Sequence, residues 1–245
     1  MIKAILFDLD DTLAESKQKV SPEMALQFSK LLHVMPACIV SGATPSQIKE
    51  QFVSGLPKES NFSNLYLFPT GASEGYSWKD GDFKLEYSFA FSDNEAKEVT
   101  EAFNKVLKET KIVDNDPSFG ERIENRRGQI TFSALGQQAP LDLKRVWDPD
   151  QVKRKMMREK LYALIPTYEI SMGGTTSIDI TKKGVNKTLS VTWIAKKLGV
   201  SISELTYVGD SLFEGGNDAV IKQTGVPTIE TTGPSQTMEI IQDFL

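Results

Sequence analysis

The sequence predicts an α/β protein with a doubly wound, parallel-sheet (Rossmann-like) core, into which an α+β domain is inserted. Short apolar strands alternate with amphipathic helices at the start of the chain, as is typical of parallel sheets with right-handed crossovers. The middle of the chain changes to hairpins and longer helices, and the alternation resumes near Lys187. We therefore expect a core of residues 1–84 and 185–245 and an inserted domain of residues 85–184.

Each element of the first core segment has its own signal. The apolar run Ile2–Phe7 predicts a buried first strand. Ser21, Pro22 and Glu23 suit the N-cap, the first helical position and the first turn of a helix that ends near Leu32. The same kinds of pattern predict the next elements, which are strands at 37–40 and 65–68 and a helix from Pro45 to about Phe52.

The inserted segment shows a different pattern. Residues 75–88 predict a hairpin that turns at 79–82. Ser92 and Glu95 have the spacing of a capping box, which predicts a helix to about Lys108. The remaining predicted elements are a strand and a turn within 122–133, a helix that Pro149 opens and that ends near Leu164, and strands at 168–172 and 177–180.

The second core segment returns to the α/β pattern. An amphipathic helix is predicted over Lys187–Leu198 and ends at Gly199. The apolar run Leu205–Val208 predicts a buried strand, and a last strand and helix are predicted at 226–229 and 235–245.

Composition excludes several classes of function. The net charge of −5 provides no basic field for nucleic acid, and no apolar run has the length needed to cross a bilayer. Cys38 is the single cysteine and His33 the single histidine, so cysteine-rich or histidine-rich metal sites are excluded. We expect a cytoplasmic protein with no nucleic-acid or membrane partner.

The residues after the first strand suggest chemistry. Asp8 and Asp10 place two carboxylates at the end of a buried strand, where like charges repel unless a cation or a reaction accounts for them. In phosphoryl transfer, one aspartate would attack phosphorus and the second would exchange a proton with the leaving oxygen. An ordinary acidic turn explains the pair about equally well when it is considered alone.

Further polar residues lie at the ends of other predicted strands or at a helix start, and they favour the phosphoryl-transfer interpretation. Ser41 and Gly42 offer a hydroxyl and an amide to a phosphate. Asp210 and Asp218 offer oxygen ligands for Mg²⁺, with Asp8 and Asp10 as the other candidates. Lys187 could neutralise the phosphate. Because ligands bind beyond the carboxyl ends of parallel strands, these residues predict one site.

This series of motifs resembles the haloacid dehalogenase superfamily, and most closely the eukaryotic phosphomannomutases of its sugar-phosphate branch. The resemblance rests on Asp8 and Asp10, Ser41, Lys187 and the glycine-rich segments 173–179 and 209–218. It implies that the inserted domain is a cap that reads the substrate. It also implies roles for Asp8 and Asp10 as nucleophile and acid–base, with Mg²⁺ as cofactor.

The resemblance also implies substrate contacts. These would come from Lys17, Gly42, Arg126, Ser177 and Asp179.

The chain departs from that family in its cations, since the family grips a phosphosugar with several arginines. Arg126 matches one of them, whereas Lys17 and Gln137 stand at positions that resemble arginine positions of the family. Lysine offers only a point charge and glutamine offers none.

The function expected from the sequence is therefore phosphoryl transfer from a phosphorylated sugar through an aspartyl-phosphate, with net hydrolysis favoured because the grip on a second phosphate is weakened. A hexose-phosphate mutase is the alternative within the same chemistry. A non-catalytic sugar-phosphate binding module is a second alternative, although such a module would not need Asp8. A homodimer formed through the cap is compatible with the resemblance.

Overall fold

The computed structural model describes all 245 residues, which form two compact units. The first unit comprises residues 1–88 and 186–245, and the second comprises residues 89–185. The first unit extends a few residues beyond the boundary expected at residue 84, because a complete hairpin that ends at Ser88 belongs to its sheet.

The elements are as follows. The strands are β1 (Ala4–Phe7), β2 (Ala37–Val40), β3 (Leu65–Phe68), β4 (Glu74–Lys79), β5 (Asp82–Ser88), β6 (Ile123–Asn125), β7 (Ile130–Ser133), β8 (Tyr168–Gly173), β9 (Ser177–Lys182), β10 (Leu205–Gly209) and β11 (Thr228–Glu230). The helices are α1 (Pro22–Val34), α2 (Pro45–Gln51), α3 (Asp93–Thr110), α4 (Leu141–Trp147), α5 (Val152–Leu164), α6 (Thr188–Leu198) and α7 (Pro234–Gln242). None of these helices combines the length and apolarity that a membrane span requires.

The first unit is built on a seven-stranded sheet with the order β11-β10-β1-β2-β3-β4-β5. The strands from β11 to β3 are parallel, and the β4–β5 hairpin adds two antiparallel strands at one edge. Alternate side chains of β1 point to opposite faces of the sheet and belong to different apolar cores. Phe7 lies in the same core as Phe28 of α1, whereas Leu6 lies in the same core as Ile194 of α6. The sheet is therefore covered on both faces, which confirms the doubly wound architecture.

The second unit contains a four-stranded antiparallel sheet with the order β6-β7-β9-β8. Its apolar side chains pack with residues of α3 and α5, including Phe103 and Leu161. The alternate positions carry polar side chains, and in two neighbouring strands Thr131 pairs with Asp179 and Ser133 with Ser177. The second unit therefore has one apolar and one polar sheet face.

One predicted helix begins at a different residue. We expected Pro149 to open α5, but the helix begins at Val152. The carboxylate of Asp148 accepts hydrogen bonds from the amides of Lys153 and Arg154, at 3.0 and 3.1 Å, and so caps the helix from outside. Pro149 consequently lies in the turn that precedes the helix.

Candidate active site

The residues expected to react lie where neighbouring parallel strands end. Asp8 follows β1, Ser41 follows β2 and Asp210 follows β10. Since β10, β1 and β2 are adjacent in the sheet, three short apolar strands suffice to bring these polar groups to one edge.

Lys187 connects two buried carboxylates. Its Nζ lies 2.6 Å from Asp8 Oδ1 and 2.6 Å from Asp218 Oδ1. Asp8 is 4% exposed, Lys187 7% and Asp218 0%, so all three groups are removed from water. Such a buried ion triad is stable only while its members stay paired.

The burial of this triad perturbs its ionisation. Burial raises the pKa of Asp8 well above its ordinary value, and the negative charge of Asp218 adds to that effect, while Lys187 opposes it. Burial alone would lower the pKa of Lys187, but Asp218 and Asp8 outweigh it and raise that pKa. The charged form of Lys187 is therefore favoured, whereas burial disfavours the charged form of Asp8.

Tyr207 is a further member of this cluster. Its hydroxyl donates a 2.6 Å hydrogen bond to Asp218 Oδ1, the same oxygen that Lys187 contacts. The other oxygen, Oδ2, accepts from the Ser211 amide at 3.4 Å, and a Cβ at position 209 would come within 2.5 Å of it. Asp218 is thus tightly enclosed, and Gly209 leaves room for its carboxylate.

Asp210 completes a set of carboxylates suited to a cation. Asp8, Asp210 and Asp218 each offer one oxygen, and these three oxygens lie within 4.8 Å of one another. Asp210 is oriented by Thr12, whose Oγ1 accepts its amide hydrogen at 3.1 Å, and by Ser211, whose hydroxyl donates to Oδ2 at 2.8 Å. Burial, followed by the charge of Asp218, raises the pKa of Asp210.

This donor set fits a hard divalent cation such as Mg²⁺, which prefers carboxylate oxygens. Burial, together with the charge of Asp218, raises the pKa of both Asp8 and Asp210, and a bound cation would offset this unfavourable burial of negative charge. Asp8 and Asp210 are the more available ligands, because one oxygen of Asp218 already accepts two hydrogen bonds.

Asp10 faces a different set of partners. Its Oδ2 accepts from Lys17 Nζ at 2.6 Å, and its Oδ1 accepts from the Lys17 amide at 2.8 Å and from Gln51 Nε2 at 3.0 Å. Burial would raise the pKa of Asp10, but Lys17 and Gln51 together lower it. These partners favour the charged form of Asp10 in the absence of substrate, and Lys17, expected as a substrate contact, pairs with it.

A strained turn supports the loop that contains Ser41 and Gly42. Thr70, Gly71 and Ala72 have φ values of 51°, 65° and 65°, in the left-handed region that only glycine adopts readily. The amides of Thr70 and Gly71 donate to the carbonyls of Ala43 and Ser41, at 2.9 and 3.0 Å. Ser41 Oγ accepts the Ala43 amide at 3.1 Å, and its own hydroxyl hydrogen can be donated to a phosphate.

The second unit contains the residues expected to read the substrate. Arg126 pairs with Glu124 at 2.7 Å and donates to Gln137 Oε1 at 3.0 Å, while the buried Gln137 Nε2 makes no hydrogen bond. Asp179 accepts from Thr131 Oγ1 at 2.7 Å. The guanidinium of Arg126 is thus partly neutralised by a carboxylate.

The structure brings together Asp8, Asp210, Asp218 and Lys187, and it places Asp10 and Ser41 on loops at the same sheet edge. The predicted cap residues Arg126, Ser177 and Asp179 belong to the second unit. Sequence reasoning missed Gln51 and Tyr207 entirely. Tyr207 lies in an apolar run, and Gln51 is a polar residue at a helix end, so neither presents a signal of its own.

Comparison with known proteins identifies related chains. The family described as eukaryotic phosphomannomutase matches residues 24–245. The phosphomannomutase of Spinacia oleracea is 31% identical over 244 residues, which cover 96% of this chain and 92% of that relative. A phosphomannomutase of Arabidopsis thaliana is 27% identical to this chain over 230 residues, which cover 89% of this chain and 86% of that relative.

Solved structures share the architecture. An N-terminally truncated IMP-nucleotidase of Plasmodium falciparum has a TM-score of 0.70 at 17% identity, over 100% of this chain and 70% of that one. A haloacid dehalogenase-like hydrolase from Bacteroides thetaiotaomicron has a TM-score of 0.66 at 12% identity, over 100% of both chains. These likenesses concern the fold alone.

A doubly wound core has Asp8 and Asp210 at the ends of β1 and β10, and Lys187, which directly precedes α6, pairs with Asp8 and Asp218. Together with the family match, this arrangement defines a member of the haloacid dehalogenase superfamily. The resemblance inferred from the sequence is confirmed. Within that superfamily, the chain belongs to the eukaryotic phosphomannomutase family.

Proposed function

We propose that this chain is a Mg²⁺-dependent phosphotransferase that takes the phosphoryl group of a hexose phosphate onto Asp8 and returns it to a hexose, as a hexose-phosphate mutase. The observation that carries the phosphoryl transfer is the buried contact of Lys187 with Asp8 and Asp218. The relatives named phosphomannomutase support the choice of a sugar as acceptor.

The chemistry assigns a role to each residue of the site. An Asp8 oxygen attacks phosphorus, the bond between phosphorus and the sugar oxygen breaks, and Asp10 supplies a proton to that oxygen. In the second half, a hydroxyl oxygen attacks phosphorus, gives its proton to Asp10 and releases Asp8. Bound Mg²⁺ would supply positive charge to the transferring group, with Asp8 and Asp210 as its main carboxylate ligands.

Two further groups support the transferring phosphoryl oxygens. Lys187 provides a fixed cation beside Asp8, because it also pairs with Asp218, whose carboxylate accepts a hydrogen bond from Tyr207. The Ser41 hydroxyl is available as a donor from the loop after β2. Such preorganised donors stabilise charge that develops in the transition state.

Net hydrolysis is the second candidate, and the second unit gives a specific reason to keep it. The Arg126 guanidinium is already engaged by Glu124, and the neighbouring position is occupied by the neutral Gln137. A mutase must retain a bisphosphate by its far phosphate while the sugar turns over, and a partly neutralised grip favours escape and transfer to water. The relatives named phosphomannomutase favour a mutase, so net hydrolysis stays a prediction and the second candidate.

A single experiment separates the candidates. Hexose 1- and 6-phosphates are incubated with Mg²⁺, with and without a hexose bisphosphate, and followed by phosphorus NMR, with Asp8→Asn as the control protein. The proposal predicts that phosphate moves between positions without release of inorganic phosphate. Accumulating inorganic phosphate would establish the phosphatase. Unchanged spectra with every substrate would favour a sugar-phosphate binding module.

A further inference from the structure

We propose that Gln51, the last residue of α2, is a positioning residue for Asp10; the inference rests on the proposed function, in which Asp10 exchanges a proton with the sugar oxygen. Gln51 is 8% exposed, and its Nε2 donates a 3.0 Å hydrogen bond to Asp10 Oδ1. A buried amide that donates to a carboxylate fixes the direction of that carboxylate.

The two residues that donate hydrogen bonds to the Asp10 carboxylate lie in different parts of the chain. Lys17 donates twice, through its amide at 2.8 Å and its Nζ at 2.6 Å, but it lies in the same loop as Asp10, and its side chain is 56% exposed. Gln51 comes from a helix of the core. It is therefore the partner that ties the carboxylate to a rigid element outside the loop.

Gln51 also fixes the loop through its backbone. Its carbonyl accepts the amide of Val20 at 2.8 Å, just beyond Lys17. The loop itself is strained, because Asp11 and Lys17 have φ values of 57° and 62°. Strained loops persist where the surrounding structure determines them, and Gln51 contacts this loop near both ends.

A proton donor that is free to rotate spends less time aligned with the leaving oxygen. Loss of the Gln51 amide leaves Asp10 with partners from its own loop only, so proton transfer slows while the attack by Asp8 does not. The effect should thus be large for a sugar, whose alkoxide is a poor leaving group. It should be small for p-nitrophenyl phosphate, because its leaving group, p-nitrophenolate, departs without taking up a proton.

The test compares Gln51→Met with the parent on both substrates. In single-turnover measurements of the first half-reaction, we expect the rate of phosphoryl transfer from the hexose phosphate to Asp8 to fall by about tenfold, the value of one charge-assisted hydrogen bond. The rate of the first release of p-nitrophenolate from p-nitrophenyl phosphate should change little. The control is Gln18→Met, which makes the same chemical change at an exposed glutamine next to Lys17 and should leave both rates intact. An equal fall with both substrates would overturn the proposal.

A double-variant cycle checks that Gln51 acts through Asp10. In the Asp10→Asn background, Gln51→Met should cause no further loss, whereas full additivity would show that Gln51 acts elsewhere. If Gln51→Met does not fold, Gln51→Leu also removes the donor without adding a charge and should show the same selectivity for substrate. If Asp10→Asn itself slows both substrates equally, the acid role of Asp10 is overturned, and the role of Gln51 falls with it.

Discussion

Lys187→Met gives the most direct test of the buried ion triad. Methionine fills much of the volume of the lysine stem but provides no charge, so Asp8 and Asp218 are left facing each other without their shared cation. Removing one partner of a buried pair costs about 3–5 kcal/mol, since the remaining charges stay desolvated. We expect a loss of that size in the free energy of unfolding of the first unit.

This loss of unfolding free energy should lower the melting temperature of Lys187→Met. For a chain of this size, 1 kcal/mol corresponds to roughly 2–4 °C, so the unit should melt about 6–20 °C lower in the absence of metal. The matched control is Lys49→Met, which breaks an exposed contact of 3.0 Å with Asp82. Exposed pairs contribute little because water screens them, so the control should melt close to the parent.

The assay is thermal unfolding followed by circular dichroism, with a chelator and then with Mg²⁺. Added Mg²⁺ should stabilise Lys187→Met more than the parent, because a cation that occupies the carboxylate site replaces part of the missing charge. If Lys187→Met loses no more stability than Lys49→Met, the three groups do not form a buried, paired triad. If Mg²⁺ leaves the variant unchanged, these carboxylates do not bind the ion.

Three further variants test the remaining assignments. Asp8→Asn should abolish turnover. Burial raises the folded-state pKa of Asp8, so ionisation of this group should reduce the stability of the parent as the pH rises from the ordinary value of 3.8 through the raised pKa, and the metal-free variant, which cannot ionise there, should gain stability relative to the parent over that range. Asp210→Ala should raise the Mg²⁺ concentration for half-maximal rate and weaken Mg²⁺ binding in calorimetry, and an unchanged titration would remove Asp210 from the metal site. Arg126→Ala should lower kcat/KM for the hexose phosphate by an amount that corresponds to about 1.5–3 kcal/mol, and it should leave kcat/KM for a small aryl phosphate unaffected. Equal losses with both substrates would argue against a contact between Arg126 and the substrate.

Most elements of the fold could be predicted because their signals are local. Apolar runs marked β1, β2 and β3, and α1 begins after Ser21, whose hydroxyl accepts the Met24 amide at 3.1 Å. The seven-residue helix α4 was not expected. It has no side-chain cap and buries only Trp147, so neither of the usual signals of a helix is present.

The predictable part of the site follows from sheet topology. Parallel neighbours end at the same edge, so Asp8, Ser41 and Asp210 could be placed together from their positions after apolar runs. Tyr207 and Gln51 could not, because their roles depend on hydrogen bonds to residues that only the tertiary structure brings near. The local sequence around a tyrosine in a core strand looks the same whether or not its hydroxyl meets a carboxylate.

The pairing of β1 with β10 has a consequence for synthesis on the ribosome. Ala4 is opposite Leu205 in the sheet, so one edge of β1 stays without its partner until the residues between β1 and β10 have been made. An unpaired, fully apolar strand edge invites wrong pairing, and closing so long a loop costs entropy unless the intervening segment has already become compact. The second unit, which is translated in between, has its own apolar core, and its folding would shorten that loop. Asp8 and Lys187 are 179 residues apart in the sequence, so a nascent chain that has not yet reached Lys187 cannot assemble the site.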